Sequence, residues 1–544
     1  MKAHSRLLDI AEIQKLYWDV IVVGTGMGGA TTGYELARRG KSVLFLEKGK
    51  DLRDRCKKFS DITLKSDVVE PEARLNLGLW PAKIRRRTNS GTSEFFAPLG
   101  CGTGGSAILY AAQLERMSSI DFNPRLNFPN EEAANLPNEW PLTYEGFTPY
   151  YRKAEKLYGV CGSQDSLNLD NSAGLRAPPP MSPRDDKLFS IFRSLGLHPY
   201  RAHVACDYIG DCSECGGVIC PNGCKNDPVK VCLTPALKLP KTDLVVNCEV
   251  VKLESRGRRI TGVLCKHNDQ EFRFHGKVVV LAAGALHTPQ ILLRSKSADA
   301  PNGLSNSSDL VGRNLMWHAS DFIGLFPIRR LPEDKAGPMK AISLNDFYIT
   351  SDGKLGTIQS VGVPITQQYI LSFLRSKFQK GPYWQKLLLN DLLLKLVSKL
   401  AAILFKNVSV FATVVEDLPY LKNRVKLADD GVSAEFIYHY PDELRKRCSK
   451  LRKLFRTKLW PHFFSFNVTG KNNINFGHAC GTCRFGKDPS SSVLNEDNRS
   501  HDIDNLYVTD SSFFPTSSGT NPSLTIAANA IRVAERINES LEVA

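Results

Sequence analysis

The chain has 544 residues, and its excess of Lys and Arg gives a net charge of +15 at pH 7. With 42% hydrophobic and 23% charged residues, the composition excludes a disordered chain and indicates a globular protein of two or three domains. The basic excess permits an anionic partner. Neither zinc-finger spacing nor an RNP-type motif accompanies it, so nucleic-acid binding is not expected. The absence of a signal-peptide pattern and of a transmembrane pattern favours a cytoplasmic protein.

The first predicted unit is a dinucleotide-binding strand–helix–strand. An apolar strand, Val20 to Val23, leads into a glycine-rich turn, a helix pattern that stops at Gly40, and a second strand that ends at Glu47. The glycines allow a tight turn and close approach to a pyrophosphate, and Glu47 can accept hydrogen bonds from a ribose. These residues alone do not separate NAD from FAD. The proposed cofactor-binding residues are Gly24, Gly26, Met27, Gly28, Gly29, Glu47 and Lys48.

A cysteine cluster follows in the middle of the chain, where six of the fourteen Cys fall between Cys206 and Cys232. The inner four have the spacing C-x2-C-x4-C-x3-C, which is similar to iron–sulfur ligation and also suits a closed zinc site. A loop of thiols without metal and a set of disulfides remain open as alternatives. The candidate metal ligands are Cys212, Cys215, Cys220 and Cys224.

The stretch from Tyr383 to Asn407 predicts an amphipathic helix with a wide apolar face and four Lys. Because the lysines interrupt it, it does not indicate a membrane span. Two interpretations remain open: a core helix of a substrate-binding domain, or a helix that docks on a membrane face or covers an apolar substrate tunnel. The second would make the protein a peripheral membrane protein and favour a lipid alcohol as substrate.

Five stretches, taken in order, resemble the glucose-methanol-choline (GMC) flavoprotein oxidoreductases, nearest the bacterial sugar-dehydrogenase and pyranose-oxidase branch and the cholesterol-oxidase-like branch. The C-terminal stretch carries GHACGTCRFG and a later NPSLT. The five are Trp18 to Gly49, Pro98 to Phe122, Glu139 to Gly162, Val278 to Ser295 with Asp309 to His318, and the block from Gly477 to Ile537.

The resemblance implies an α/β fold with FAD as the cofactor. A discontinuous Rossmann-type FAD-binding domain would comprise residues 1–125, 190–320 and 470–544. A substrate-binding domain, with a mostly antiparallel sheet covered by helices, would comprise residues 126–189 and 321–469. The resemblance adds further FAD-binding candidates: Gly104, Gly105, Ser106, Val250, Val251, Ala283, Gly284, Asp510, Ser511 and Pro522.

The family pattern assigns the catalytic positions to His478 and Asn521. Alcohol oxidation removes a hydride and a hydroxyl proton, and a neutral imidazole such as that of His478 suits the proton. The amide of Asn521 can hold the hydroxyl without titrating. The helix after Pro522 would direct its N-terminal dipole towards the flavin.

The sequence therefore predicts FAD-dependent oxidation of a small-molecule alcohol, either sugar-like or lipid. A dehydrogenase is favoured over an oxidase, and some dehydrogenases of the resembling branch carry an iron–sulfur cluster near a Cys-Pro stretch. Two alternatives stay open: a non-redox lyase with structural FAD, and the catalytic subunit of a membrane-bound dehydrogenase that passes electrons to a cytochrome.

Overall fold

The structure is a computed structural model that describes most of the chain. The described residues are 9–54, 69–89, 91–168, 174–210, 212, 214–333, 338–351, 353–361, 367, 370–371, 374–375, 391–428, 430, 434–468 and 473–543. The segment 383–390, which belongs to the predicted amphipathic helix, lies outside them.

The strands within these ranges are, in chain order, β1 Tyr17–Val23, β2 Val43–Leu46, β3 Ile84–Thr88, β4 Gly91–Phe95, β5 Tyr200–Arg201, β6 Thr242–Val245, β7 Cys248–Arg256, β8 Arg259–His267, β9 Gln270–Leu281, β10 Met316–Ala319, β11 Phe322–Pro327, β12 Ile342–Leu344, β13 Ile349–Thr350, β14 Gly353–Lys354, β15 Gly356–Ser360, β16 Ser409–Glu416, β17 Arg424–Leu427, β18 Ala434–Ile437, β19 Phe463–Asn467, β20 Ile474–Cys480 and β21 Leu506–Val508. The helices are α1 Ile10–Ile13, α2 Met27–Ala37, α3 Pro71–Asn76, α4 Pro124–Asn127, α5 Tyr144–Tyr158, α6 Pro183–Ser194, α7 Thr234–Ala236, α8 Thr288–Arg294, α9 Asp391–Leu404, α10 Asp442–Leu459 and α11 Ser523–Val543.

The first sheet brings together strands from distant parts of the chain. Its parallel strands are ordered β6-β2-β1-β9, and β21 pairs in parallel with β9. The antiparallel strands β8 and β7 extend the sheet beyond β9. Residues 20–23 of β1 are buried, as expected for a central parallel strand covered on both faces.

Helices from both ends of the chain cover this sheet. α2 follows β1 directly, and α11 packs against both α2 and α5. The close approach of α2 depends on Gly33, where a Cβ atom would lie 2.2 Å from the ring of Phe45 on β2. The front motif therefore forms the strand–helix–strand unit that its glycines predict.

The second sheet is mostly antiparallel and has the order β19-β11-β16-β15-β12-β5, with β10 pairing β16 and β20. Side chains alternate across β16, as the two-residue strand period requires. Phe411 packs with Phe192 of α6 and Phe455 of α10 on one face, whereas Ala412 and Val414 line a cavity on the other face. The predicted α/β class, with a mostly antiparallel second sheet covered by helices, is confirmed.

A third sheet, β17-β18-β3-β4, joins an early hairpin to a late one through the parallel pair β3–β18. None of the helices in the described ranges combines the length and apolar content that a membrane crossing needs. The domain boundaries proposed from the sequence are not tested by these observations and remain a prediction.

Replacing Phe455 by Ala tests the helix-covered face of the second sheet. The ring is fully buried between Phe192 and Phe411, so the cavity left behind should lower the free energy of unfolding by about 3–5 kcal/mol. Urea unfolding followed by fluorescence measures this change. The matched control is Lys453→Ala on the exposed side of the same helix, and equal midpoints for the two variants would contradict the packing.

Candidate active site

A cavity of about 990 Å³ lies between the two large sheets, at the upper end of the roughly 300–1,000 Å³ typical of ligand sites. Its walls come from the carboxyl ends of β1 and β2, from the pocket-facing side of the second sheet and from the C-terminal block.

Most of the predicted site residues line this cavity. Those that do are Gly24, Gly26, Met27, Gly28, Glu47, Lys48, Gly105, Ser106, Val250, Ala283, Gly284, His478, Asp510, Ser511 and Asn521. Four others are not among its lining residues: Gly29, Gly104, Val251 and Pro522.

The glycine turn between β1 and α2 has separate structural requirements at each position. Gly24 adopts φ +94°, and a Cβ there would lie 2.5 Å from the carbonyl oxygen of Ala282. A Cβ at Gly28 would lie 2.0 Å from the carbonyl oxygen of Thr509, next to β21. A Cβ at Gly26 would meet nothing within 4 Å. This position is therefore open towards the cavity, at the N-terminus of an 11-residue helix that favours a phosphate.

Glu47 lines the cavity but already has protein partners. One carboxylate oxygen accepts hydrogen bonds from the backbone N–H and the hydroxyl of Thr25, and the other accepts from the N–H groups of Gly49 and Gly102. Burial raises the pKa of Glu47. Because a carboxylate has about four lone-pair sites, a ribose hydroxyl would have to share oxygens that already hold three loops together.

Asp510 follows β21 and occupies a similar position. Its carboxylate accepts from the N–H of Gly284 at 2.8 Å, the hydroxyl of Thr288, and both the N–H and hydroxyl of Ser512. Burial raises the pKa of Asp510. These bonds hold the C-terminal block against the β9–α8 turn, so that Asp510 and Gly284 line one wall together.

His478 lies on β20, beside the neighbouring strand β10, which carries His318. The Nδ1 atoms of the two rings are 2.8 Å apart, and the ring planes are nearly perpendicular at 88°. Nε2 of His318 lies 3.0 Å from the carbonyl oxygens of both Ser517 and Ser518. His318 is fully buried, whereas His478 lines the cavity.

These contacts determine where the protons are. Carbonyl oxygens only accept, so Nε2 of His318 carries a proton. Burial lowers the pKa of His318 to about 4, so its ring is neutral near pH 7 and its Nδ1 must accept. His478 therefore donates from Nδ1. Burial, with His318 nearby, lowers the pKa of His478 well below its usual value, which leaves an unprotonated Nε2 on a residue that lines the cavity.

The loop that anchors His318 is itself held by buried charges. The N–H of Ser518 donates to Glu416 at 3.1 Å, and Glu416 and Asp121 both pair with the ammonium group of Lys354. Although burial opposes its charge, the two carboxylates raise the pKa of Lys354. The cluster fixes the carbonyls that define the His318 tautomer.

Asn521 brings a second polar group to the cavity. Within the described residues, its buried Oδ1 atom has no hydrogen-bond partner. Leaving a buried acceptor unpaired costs roughly 1–3 kcal/mol. A hydrogen-bond donor on a bound ligand would remove this cost.

Sequence reasoning missed several lining residues. Gln359 has a partnerless buried Oε1 atom within the described chain. The apolar part of the same wall comes from residues on β11 and β16 and from the residue after β15. The missed lining residues include Gln113, Ser320, Phe322, Gln359, Val361, Ala412, Val414 and Asn475. The motif that ends in His318 was visible in the sequence, but its contact with His478 was not.

The candidate metal ligands do not form a metal site. The sulfur of Cys212 lies 3.5 Å from that of Cys206 and also shares a hydrogen bond with Cys224, while a hydrogen bond from Cys215 lowers the pKa of Cys220. Among the described residues, no group of three or more His, Cys, Asp or Glu is arranged to hold a metal ion. The iron–sulfur and zinc alternatives for Cys212, Cys215, Cys220 and Cys224 are therefore not supported.

Comparison with known proteins identifies the family. Two GMC oxidoreductase models match residues 142–320 and 448–530, and an NAD(P)-binding Rossmann-like model matches residues 22–79. The chain belongs to the GMC oxidoreductase family. GMC enzymes are FAD-dependent oxidoreductases, so the predicted family and enzyme class are confirmed.

Several relatives of this GMC protein are bacterial enzymes that are similar to it over nearly their full length. The chain is 28% identical to 6'''-hydroxyparomomycin C oxidase of Streptomyces lividus, covering 96% of this chain and 92% of the relative. It is 26% identical to 2-methyl-1,2-propanediol dehydrogenase of Mycolicibacterium austroafricanum, covering 96% and 95%. Among solved structures, pyridoxine 4-oxidase from Mesorbium loti has a TM-score of 0.64 at 18% identity, covering 96% of this chain and 99% of that one.

Substitutions at Gly26 and Gly28 should separate cofactor binding from folding. Gly28→Ala forces a methyl group against Thr509 and should destabilise the protein by about 1–3 kcal/mol. Gly26→Ala meets no protein atom and should change stability by less than about 0.5 kcal/mol, while its methyl group fills space required by a pyrophosphate. Urea unfolding of the FAD-free protein and FAD titration by fluorescence measure the two effects. Unchanged FAD affinity in Gly26→Ala would contradict this use of the turn.

Proposed function

We propose that the protein oxidises an alcohol whose hydroxyl lies between His478 and Asn521, with FAD held in the rest of the cavity. The observation that carries this proposal is the His318–His478 pair, because it leaves a neutral, unprotonated nitrogen on a cavity residue. The residues present fit FAD because the turn is open at Gly26, and the Asn521 acceptor, which has no partner in the described part of the chain, fits the substrate hydroxyl.

His478 acts as the general base. FAD, when bound, supplies the hydride acceptor, and the chain must remove the hydroxyl proton. Nε2 of His478 takes that proton, because its pKa is low enough to keep the ring neutral and its Nδ1–H is already engaged with His318. Proton transfer to a positioned base of this kind contributes about 10²- to 10⁴-fold.

Asn521 and His318 have positioning functions. The amide oxygen of Asn521 accepts from the substrate hydroxyl before proton transfer, or its amide nitrogen donates to the oxygen afterwards. His318 does not need to titrate. It offers a fixed lone pair to Nδ1–H of His478 and so keeps the reactive lone pair on Nε2.

The related enzymes support an alcohol as the electron donor. They do not identify the electron acceptor, which experiment must determine. They include oxidases and dehydrogenases, among them the fructose dehydrogenase large subunit of Gluconobacter japonicus at 25% identity. A dehydrogenase that uses a separate electron-transfer partner would reduce an artificial acceptor faster than O2, whereas an oxidase would release hydrogen peroxide. A lyase would leave the bound FAD oxidised.

His478→Ala should retain bound FAD and slow its anaerobic reduction by an alcohol about 10²- to 10⁴-fold. Stopped-flow bleaching of the flavin absorbance, after a screen of sugars, sterols and aliphatic alcohols, measures the rate. The matched control is His462→Ala, which removes an exposed imidazole. A near-native rate in His478→Ala would place the base elsewhere, and the absence of bleaching by any alcohol in the native protein would refute the proposed function.

The role of His318 is tested with two variants. His318→Leu removes the acceptor for Nδ1–H and should lower kcat about 10- to 100-fold, since His478 can then place its proton on Nε2. His318→Gln offers an amide oxygen to His478 and an amide N–H to the carbonyls of Ser517 and Ser518, so it should recover most of that loss. Equal activity of the two variants would show that the acceptor has no part in catalysis.

In the native enzyme, kcat/KM should stay constant as pH falls through 6.5. The pKa of His478 is depressed by burial, so the neutral base persists there and is lost only at more acidic pH. An acid limb at or above pH 6.5 would contradict this assignment.

A further inference from the structure

The outer side of α9 exposes an unusually large apolar surface. Seven aliphatic side chains there are 42–79% exposed, far more than the scattered apolar residues of an ordinary surface. They are Leu392, Leu393, Leu396, Val397, Leu400, Ile403 and Leu404. We call these seven residues the α9 face.

The α9 helix divides into three sectors when its residues are placed about 100° apart. Leu394 and Ser398 are buried and lie on the side that meets the protein. Lys395, Lys399 and the following Lys406 form a basic row. The α9 face fills an arc of about 140° between this row and the buried side. An apolar face bordered by lysines along one edge is the pattern of a helix that lies in a membrane interface.

The C-terminal end of α9 meets an apolar face of the second sheet. Phe405, just after α9, packs against Phe466 with ring centroids 5.3 Å apart, and Phe466 covers Gly324 of β11. Two residues further along the same sheet face, Phe326 and Phe464 are paired in register and are 39% and 60% exposed. Phe405 thus places the end of α9 on the sheet face that carries Phe326 and Phe464.

The same sheet face leads into the cavity. Phe322, Gly324 and Phe326 point to one side of β11, and Phe322 lines the cavity, so β11 connects the exposed apolar surface to the site through about 14 Å of strand. On the adjacent strand β16, Ala412 and Val414 continue the apolar wall.

We propose that the α9 face, with Phe326 and Phe464, docks on an anionic membrane surface. At 14 residues, α9 is too short to span a bilayer but long enough to lie in the interface. Lys399 and Lys406, with exposed Arg329 beyond β11, match anionic headgroups, and Lys395 and Arg330 add cations that also pair with Asp391 and Glu333. A second copy of the chain would instead bring two such basic rims together.

The substrate class follows if the proposed function holds. A site reached along an apolar sheet face from a docked surface would receive a lipophilic alcohol that partitions into the bilayer. This step rests on the proposed oxidation, whereas docking itself does not.

Vesicle co-flotation tests the docking with the full-length protein. Native protein should bind phosphatidylcholine–phosphatidylserine vesicles more strongly than phosphatidylcholine vesicles, and high salt should weaken the difference. Leu396→Glu/Leu400→Glu and, separately, Lys395→Glu/Lys399→Glu should each reduce binding at least about tenfold. The matched control, Leu126→Glu, changes a leucine that is 79% exposed elsewhere on the surface and should bind like the native protein.

Native-like binding by both α9 variants would overturn the proposal. So would a native dimer that becomes monomeric in the leucine variant without any vesicle binding, because the surface would then join two copies. For the substrate class, the leucine variant should oxidise a short soluble alcohol at the native rate and a vesicle-borne long-chain alcohol at least about tenfold more slowly. Equal rates on the long-chain alcohol would overturn that step, whereas failure of native protein with every alcohol would refute the proposed function alone.

Discussion

A hydrogen bond between two neutral imidazoles sets the protonation pattern on which the site depends. His318 can accept from His478 only because two carbonyl oxygens, on Ser517 and Ser518, require its other nitrogen to carry the proton. Both rings have depressed pKa values because partial or complete removal from water disfavours their charged forms. A histidine beside a carboxylate would gain basicity, whereas one that donates to another histidine stays neutral. The chain thus holds its base in the reactive form through geometry instead of charge.

That geometry depends on groups that are costly to bury. Lys354, Asp121 and Glu416 form an enclosed ionic cluster, and burial raises the pKa of Glu416. Buried ion pairs rarely add much net stability, but breaking one by removing a partner is strongly destabilising. We therefore interpret the cluster as a device for fixing the position of the Ser517–Ser518 turn.

The sequence predicted those parts of the protein that local patterns encode. The turn at Gly24, the following helix and the strand before Glu47 are contiguous, so spacing alone specified them, and the flanking motifs of His478 and Asn521 indicated the two catalytic candidates. The contact of His318 with His478 depends on the pairing of strands far apart in the chain, which no local period records. Gln359 was missed for the same reason, because its place in the cavity wall depends on long-range strand pairing. The cysteine spacing suggested a metal because sequence distance does not show whether the thiols converge on a common point, and among the described residues they do not. The periodicity of α9 predicted its apolar face but not whether that face would be covered.

The position of β21 has a consequence for biosynthesis. This strand pairs with β9, which in turn pairs with β1, and Asp510 and Asn521 follow it. Almost all of the described chain must therefore emerge from the ribosome before the cavity has all its walls, and contacts between such distant segments form slowly. A nascent chain lacks the C-terminal wall of the cavity. FAD should therefore bind only late in folding, and its binding would indicate that the distant segments have assembled correctly.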